Sequence, residues 1–249
     1  QLMTLVRSVL FFLFLAVITP PFSLIAILVR PLPPRVRYRI IGAWTRLTML
    51  ALRFIVGLHY RVIGRENLPS HSAVVLCKHQ SAWETLSLQL ILPRVAFVFK
   101  KELLRIPFFG WGLACMPMIA IDRSAGKDAL VQVEEQGRVL LEQGFWVTVF
   151  PEGTRMPPGQ TRRYKVGGAR LAQVTGALVV PIAHNAGDYW KRNAFLKYPG
   201  EIVVSIGPPI ATQGLTTEQI NGHAQVWIES EMRRLFPHHY EAEHLSAAA

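Results

Sequence analysis

The chain has 249 residues, of which 51% are hydrophobic and 17% are charged, and its formal net charge is +11. This composition is too apolar for an ordinary soluble domain and too charged for a polytopic membrane protein. The positive charge indicates an anionic partner. We expect a membrane surface or an acidic acyl donor rather than nucleic acid, because the zinc-finger, RRM-type and basic-zipper signatures are absent from the sequence.

Residues 1–57 are predicted to form membrane-anchoring helices. The stretch 9–29 has no charged residue, and about twenty such residues can cross a bilayer as one helix. Pro20 and Pro21 are expected to interrupt it, because proline removes a backbone hydrogen bond and clashes with the preceding turn. In the next segment, 35–58, five arginines alternate with large apolar side chains, a pattern typical of helices that lie in a membrane interface.

Three interpretations of this N-terminal segment are open. A cleaved signal peptide is disfavoured, because no small-residue cleavage pattern follows the apolar stretch. A single spanning helix and a kinked helix pair that enters one leaflet both fit the sequence. The arginines from Arg30 onward predict that the rest of the chain lies on the cytoplasmic face of the cell membrane.

Residues 58–237 are predicted to form one α/β domain, and residues 238–249 a flexible tail. Short apolar strands alternate with helical patterns, which favours a layered mixed β-sheet flanked by helices. Helices are expected at 126–143, at 166–175 and after Thr216, which with Gln219 resembles a capping box. After a first strand that begins at Leu58, the predicted strands are Ala73–Cys77, Val95–Phe99, Pro117–Ile121, Phe145–Phe150, Leu178–Ile182 and Ile202–Ile206.

The sequence "CKHQSAWET" places His79 and Glu84 directly after a buried strand. Two residues five apart do not face each other on one helix. They meet if His79 lies in the loop before a helix and Glu84 lies inside it, with Ser81 as the N-cap between them. The carboxylate then fixes the imidazole tautomer and leaves the other nitrogen free to accept a proton. A pair of this kind is, in isolation, more often an ordinary surface pair.

Two more strand ends carry polar groups. In "FPEGTR", Gly153 permits a tight turn, Thr154 offers a hydroxyl and Arg155 offers a guanidinium suited to phosphate. "IDRS" adds Arg123 at another strand end. Each alone is compatible with a common turn or a solvated arginine. Together they predict a binding site, because α/β sheets bind ligands at the carboxyl ends of their strands.

Four blocks in this order resemble those of the glycerolipid acyltransferases of the HX4D/E type: "HQSAWE", "KKELLRIPFFGWGL…IAIDR", "FPEGTR" and "VVPIAH". The resemblance covers about residues 58–210, and the most similar members are bacterial acyltransferases that act on 1-acyl-sn-glycerol-3-phosphate. One departure is Glu84, where most of the family has Asp.

The resemblance implies transfer of a fatty acyl group from acyl-CoA or acyl-carrier protein to the sn-2 hydroxyl of lysophosphatidic acid, which gives phosphatidic acid. His79 is expected to act as the general base, since an imidazole has a near-neutral intrinsic pKa, and Glu84 as its orienting carboxylate. By similarity, the glycerol-phosphate site is expected to comprise Lys101, Arg123, Glu152, Gly153, Thr154 and Arg155. Glu152 is expected to orient Arg155 or Lys101, or to bind a glycerol hydroxyl.

We expect membrane lipids as partners and no metal or cofactor beyond the acyl donor. Direct transfer is preferred to an acyl-Ser81 intermediate, because no nucleophile-elbow pattern surrounds Ser81. The alternatives are an acyltransferase for another lysolipid, such as lyso-ornithine lipid, a membrane-bound esterase or thioesterase, and a basic membrane-binding module without activity.

Overall fold

The computed structural model describes residues 1–122 and 126–240. The helices are α1 (Leu2–Leu28), α2 (Pro34–Ala51), α3 (Trp83–Ile91), α4 (Phe109–Ala114), α5 (Lys127–Glu142), α6 (Gly167–Thr175), α7 (Ala186–Tyr189) and α8 (Thr217–Leu235). The strands are β1 (Leu58–Ile63), β2 (Val74–Cys77), β3 (Val95–Lys100), β4 (Ile119–Ile121), β5 (Trp146–Val149), β6 (Val179–His184) and β7 (Gly200–Ile206).

Within these ranges the seven strands form one mixed sheet in the order β1-β7-β6-β2-β5-β3-β4. Neighbouring strands run parallel except β6 and β7, which run antiparallel. The predicted layered α/β fold is confirmed, and each predicted strand is present with ends that differ by a residue or two. β2 and β5 lie side by side near the centre, so the segments that follow them meet at one edge of the sheet.

Alternate residues of the central strands pack into two separate cores. Val75 and Cys77 face one core, together with α3 and residues from the N-terminal helices such as Phe11. Val74 and Leu76 face the other core, which α5, α6 and α8 cover. Because strand side chains alternate in direction, a strand buried on both faces reads as a continuous apolar run.

Helix α1 is continuous through Pro20 and Pro21, so the predicted interruption is wrong. Hydrogen bonds from other side chains hold this region: the Ser23 hydroxyl donates to Phe108 O at 2.7 Å, and Trp44 Nε1 donates to Thr19 Oγ1 at 3.2 Å. These two contacts attach the proline-containing part of α1 to the segment before α4 and to α2.

Helix α1 is long and apolar enough to cross a membrane, and only 17% of its most apolar window is buried. Large apolar side chains are exposed along it, among them Leu2, Phe12 and Leu28. Water is an unfavourable environment for a continuous apolar surface of this kind, which marks a membrane-contacting element.

Helix α2 begins with Pro34 at its first position, where proline is favoured because its missing N–H would have no partner in the helix. A π-helical turn, Leu52–Val56, joins α2 to β1. Two of its predicted membrane-facing arginines bond to the domain instead. Arg35 donates to Gln143 O at 2.9 Å, and Arg37 donates to Cys115 O at 3.1 Å. These bonds hold the N-terminal helices against the α/β layers.

The last helix begins as predicted. Thr216 Oγ1 accepts a hydrogen bond from Gln219 N at 3.2 Å, and Gln219 Oε1 accepts one from Thr216 N at 2.9 Å. This capping box fixes the start of α8.

Candidate active site

The loop between β2 and α3 brings His79 and Glu84 together. β2 ends at Cys77 and α3 begins at Trp83, so His79 lies in the loop and Glu84 in the first turn of the helix. His79 Nδ1 lies 2.8 Å from Glu84 Oε1. The structure therefore contains the contact that the five-residue spacing predicts.

The start of α3 differs from the prediction by one residue. The N-cap is Ala82 rather than Ser81, and its side chain makes no capping bond. The Ser81 hydroxyl nevertheless accepts a hydrogen bond from Trp83 N at 3.2 Å. Glu84 Oε1 accepts from Ser81 N at 2.8 Å and from Gln80 N at 2.9 Å. The carboxylate thus closes the helix start as well as holding the imidazole.

The His79 ring is held on one edge and one face. Because an ionised carboxylate only accepts hydrogen bonds, Nδ1 carries the proton and Nε2 keeps its lone pair. The ring stacks on Phe150, with centroids 4.1 Å apart and planes at 15°, and Phe150 stacks in turn on Phe97. The side chain is 13% exposed. His79 is therefore an oriented, accessible proton acceptor.

Glu84 is ionised in spite of its burial. Burial by itself raises the pKa of this carboxyl, but the neighbouring His184, the hydrogen bond with His79 and the Ser81 N–H together lower the pKa below its usual value. A buried carboxylate in this position stabilises an imidazolium that forms on His79.

His184, at the end of β6, is a buried histidine to which the sequence analysis gave no role. Its Nε2–H donates to Lys78 O at 2.7 Å, and its Nδ1 accepts from Ala186 N at 3.2 Å. Burial lowers the pKa of His184, and the neighbouring Glu84 carboxylate opposes this decrease. Its sequence signals are its position as the last residue of the "VVPIAH" block and as a polar residue that ends a fully buried strand.

The "FPEGTR" turn packs directly against the His79 loop. Gly153 has a φ of +70°, and a Cβ there would lie 2.9 Å from Lys165 Cε. Glycine is therefore required for its conformation and for the close approach of Lys165. Met156 N donates to His79 O at 2.7 Å. Lys165 is a cation at this turn that the sequence analysis missed.

Glu152 faces the interior of the protein and not a substrate. Its side chain is fully buried, with Oε1 3.1 Å from Lys78 Nζ and Oε2 accepting from His79 N at 3.1 Å. The partners that the structure gives Glu152 are thus Lys78 and the His79 N–H, and not Arg155 or Lys101 as expected. The Glu152 side chain has no exposure to solvent, and its Oε1 meets Lys78 as an ion pair rather than as an aligned hydrogen bond.

Burial raises the pKa of Glu152 to about 7. The Lys78 ammonium opposes this increase because it favours the ionised carboxyl, and the negative charge of Glu229 adds to it. Glu152 therefore changes charge within the neutral pH range.

The other predicted binding residues occupy the same edge of the sheet. Thr154 and Arg155 are half-buried, and Arg155 O accepts a hydrogen bond from Arg192 Nη1 at 3.3 Å. Lys101, directly after β3, forms an ion pair with Asp122, directly after β4. Arg123 lies outside the described residues.

A cavity of about 330 Å³ lies between this edge and the N-terminal helices. It is lined mainly by apolar side chains, which both parts of the chain supply. They include Leu15, Trp44, Thr85, Phe97, Leu113 and Arg155. The cavity thus extends from the FPEGTR turn toward the exposed apolar surface of α1.

One group of side chains in the described part of the chain has the spacing of metal ligands. Ligand atoms of Asp188, His238 and His239 lie within 4.8 Å of one another. His239 Nε2 is 2.8 Å from Asp188 Oδ1, so these two already pair with each other. The group was not visible in the sequence, because Asp188 lies about fifty positions before the two adjacent histidines. It contains neither His79 nor Glu84.

The chain is similar to acyltransferases in sequence and in structure. The sequence model of the Acyltransferase family matches residues 59–185. A 1-acyl-sn-glycerol-3-phosphate acyltransferase from Pseudomonas aeruginosa is 41% identical over 96% of this chain and 95% of its own length. The mouse 1-acyl-sn-glycerol-3-phosphate acyltransferase alpha is 33% identical over 70% of this chain, which spans 63% of that protein.

Among solved structures, the 1-acyl-sn-glycerophosphate (LPA) acyltransferase PlsC from Thermotoga maritima has the same fold. The two chains superpose with a TM-score of 0.74 over 94% of this chain and 95% of the other, at 21% identity.

Proposed function

The chain belongs to the acyltransferase family, and we propose that it transfers a fatty acyl group to the sn-2 hydroxyl of 1-acyl-sn-glycerol-3-phosphate, giving phosphatidic acid. The observation that carries this proposal is the 2.8 Å contact between His79 Nδ1 and Glu84 Oε1. It leaves Nε2 as a proton acceptor in a loop that Met156 N bonds to the FPEGTR turn, whose Arg155 lines the apolar cavity. The bacterial and mouse relatives described above are named as acyltransferases of 1-acyl-sn-glycerol-3-phosphate, which supports this acceptor.

In the proposed reaction His79 Nε2 removes the proton from the sn-2 hydroxyl. The oxygen then attacks the carbonyl carbon of the acyl thioester, and Glu84 stabilises the imidazolium. When the tetrahedral intermediate collapses, the carbon–sulfur bond breaks and the imidazolium returns the proton to the thiolate. These steps require no metal and no cofactor apart from the acyl donor, which is acyl-CoA or acyl-carrier protein.

Basic groups around the FPEGTR turn are proposed to bind the phosphate of the acceptor. Arg155 offers paired donors for phosphate oxygens, and Lys165 lies across Gly153 in the same turn. Thr154 and Lys101 are proposed to add a hydroxyl and a second ammonium. Glu152 has no part in this contact, since its carboxylate is paired with Lys78.

The chain associates with a membrane through its N-terminal helix, which exposes a continuous apolar surface. We propose that the α/β domain lies on the cytoplasmic face, because the basic residues follow α1 in the sequence. The apolar cavity is lined by residues of α1 and α2 and by Arg155, and is proposed to hold an acyl chain that enters from the bilayer.

An acceptor panel tests this function. Purified full-length protein in detergent is given acyl-CoA or acyl-carrier protein together with lysophosphatidic acid, lyso-ornithine lipid or no lysolipid, and products are identified by mass spectrometry. We expect phosphatidic acid as the main product, formed at least about a hundredfold more slowly by His79→Ala. Acylated ornithine lipid as the main product would assign the other lysolipid, and free fatty acid without acceptor would indicate a thioesterase.

A further inference from the structure

Lys78, the residue before the proposed base, is a lysine with no exposure to solvent. Its Nζ lies 2.8 Å from Glu229 Oε1, 3.1 Å from Glu152 Oε1 and 3.1 Å from Gln160 O. Lys78 Nζ donates hydrogen bonds to Glu229 Oε1 and Gln160 O, and it forms an ion pair with the Glu152 carboxylate. A buried charge is unfavourable unless it is paired in this way, which means that these contacts define the position of the side chain.

These contacts join three parts of the chain. Lys78 belongs to the loop after β2, Glu152 and Gln160 belong to the segment after β5, and Glu229 lies on α8. Tyr164 adds a hydrogen bond from its hydroxyl to Glu229 Oε1 at 2.8 Å. The last helix is thereby connected to the two loops that form the candidate active site.

Glu152 carries this connection to His79. Its Oε1 faces Lys78, while its Oε2 accepts a hydrogen bond from the His79 backbone N–H. The carbonyl groups on either side are fixed as well, since Lys78 O accepts from His184 and His79 O accepts from Met156. The backbone that presents the imidazole is therefore held from three directions.

We propose that Lys78, Glu152 and Glu229 form a positioning network that sets the place of the His79 backbone, and hence of its imidazole, for acyl transfer. This inference rests on the proposed function, in which His79 is the base. None of the three residues contacts substrate. Lys78 and Glu229 act through Glu152, and Glu152 acts through the His79 N–H.

The network predicts a pH dependence with a characteristic sign. The ionisable groups that face Glu152 are Lys78, Glu229, Tyr164 and the thiol of Cys77. Lys78 favours the ionised carboxyl, and Glu229 disfavours it. Only the ionised form of Glu152 accepts the His79 N–H as a charge-assisted bond. Removal of either charge is therefore expected to move the acidic limb of the kcat profile, in opposite directions.

The test compares Lys78→Met and Glu229→Gln with Glu218→Gln, an exposed glutamate on the same helix. The kcat and KM for lysophosphatidic acid are measured for the full-length protein in detergent across about pH 5 to 8. We expect kcat to fall about tenfold to a hundredfold in the first two variants, as a small displacement of a catalytic group does. The KM of these two variants should be unchanged. The Glu218→Gln control should have the kcat and KM of the wild type.

The acidic limb should move to higher pH in Lys78→Met and to lower pH in Glu229→Gln. The second shift should disappear when Glu152→Gln is added, because the titrating carboxyl is then absent. Unshifted profiles, or shifts in the same direction, would overturn the proposal. If Lys78→Met does not fold, the isosteric Glu229→Gln decides the question alone. An inactive wild type, or an active His79→Ala enzyme, would instead reject the proposed function.

Discussion

Replacement of Glu84 by glutamine separates the charge of this residue from its hydrogen bonds. Glu84 Oε1 accepts bonds from His79, Gln80 and Ser81. Two of these donors are backbone N–H groups, which repel an amide NH2 at this position. The glutamine must therefore place its oxygen there, and His79 keeps its tautomer with the proton on Nδ1.

The expected loss in Glu84→Gln is the charged part of the bond to the imidazolium. Hydrogen bonds to a charged partner contribute about 1.5–3 kcal/mol, so kcat should fall about tenfold to 150-fold. KM should be unaffected, since Glu84 is buried and contacts no substrate. Glu84→Ala should in addition be less stable, because the N–H groups of Gln80 and Ser81 lose their acceptor, at about 1–3 kcal/mol each.

The assay is the initial rate of phosphatidic acid formation at saturating substrates, with the melting temperature measured in the same detergent. Glu66→Gln, at an exposed glutamate in the turn after β1, is the matched control and should behave as wild type. A Glu84→Gln enzyme with wild-type kcat would refute the orienting role. One as inactive as His79→Ala would show that the tautomer had changed, which would contradict the hydrogen-bond argument.

Three further outcomes test the site. His79→Ala should lower kcat about 10²–10⁴-fold without loss of folding or membrane binding, as measured by turnover, circular dichroism and membrane flotation, and substantial residual activity would reject the base. Arg155→Ala should raise the KM for lysophosphatidic acid about tenfold to a hundredfold by loss of a charge-assisted contact. The control Arg162→Ala, at an exposed arginine, should not change this KM. If the KM of the acyl donor changed instead, the assignment of Arg155 to the phosphate site would be wrong. The folded-state pKa of Glu152, about 7, lies above its ordinary value of 4.5, so the folded state binds the proton more tightly and stability falls as pH rises between these values. As the pH rises through this range, the melting temperature of Glu152→Gln should therefore increase relative to that of the wild type. A difference in melting temperature that does not change with pH would contradict a buried titrating carboxyl.

Much of the architecture is local and could be predicted. The strands and the helices α5, α6 and α8 follow from apolar periodicity and end signals such as the Thr216 capping box. The contact between His79 and Glu84 could be predicted for the same reason, since it depends on six consecutive positions at a strand-to-helix boundary. The order of the four motif blocks indicated the family.

The sequence by itself therefore determined the elements and the reacting pair, because residues close in the chain fix both. Only the tertiary structure decided which residues surround Lys78 and Glu152. Lys78 and Glu229 are 151 positions apart in the chain and meet because α8 packs on the sheet. The stacking of Phe150 on His79, the position of Lys165 over Gly153 and the continuity of α1 were decided in the same way. Each depends on a contact between segments, and local propensity carries no information about which segments come together.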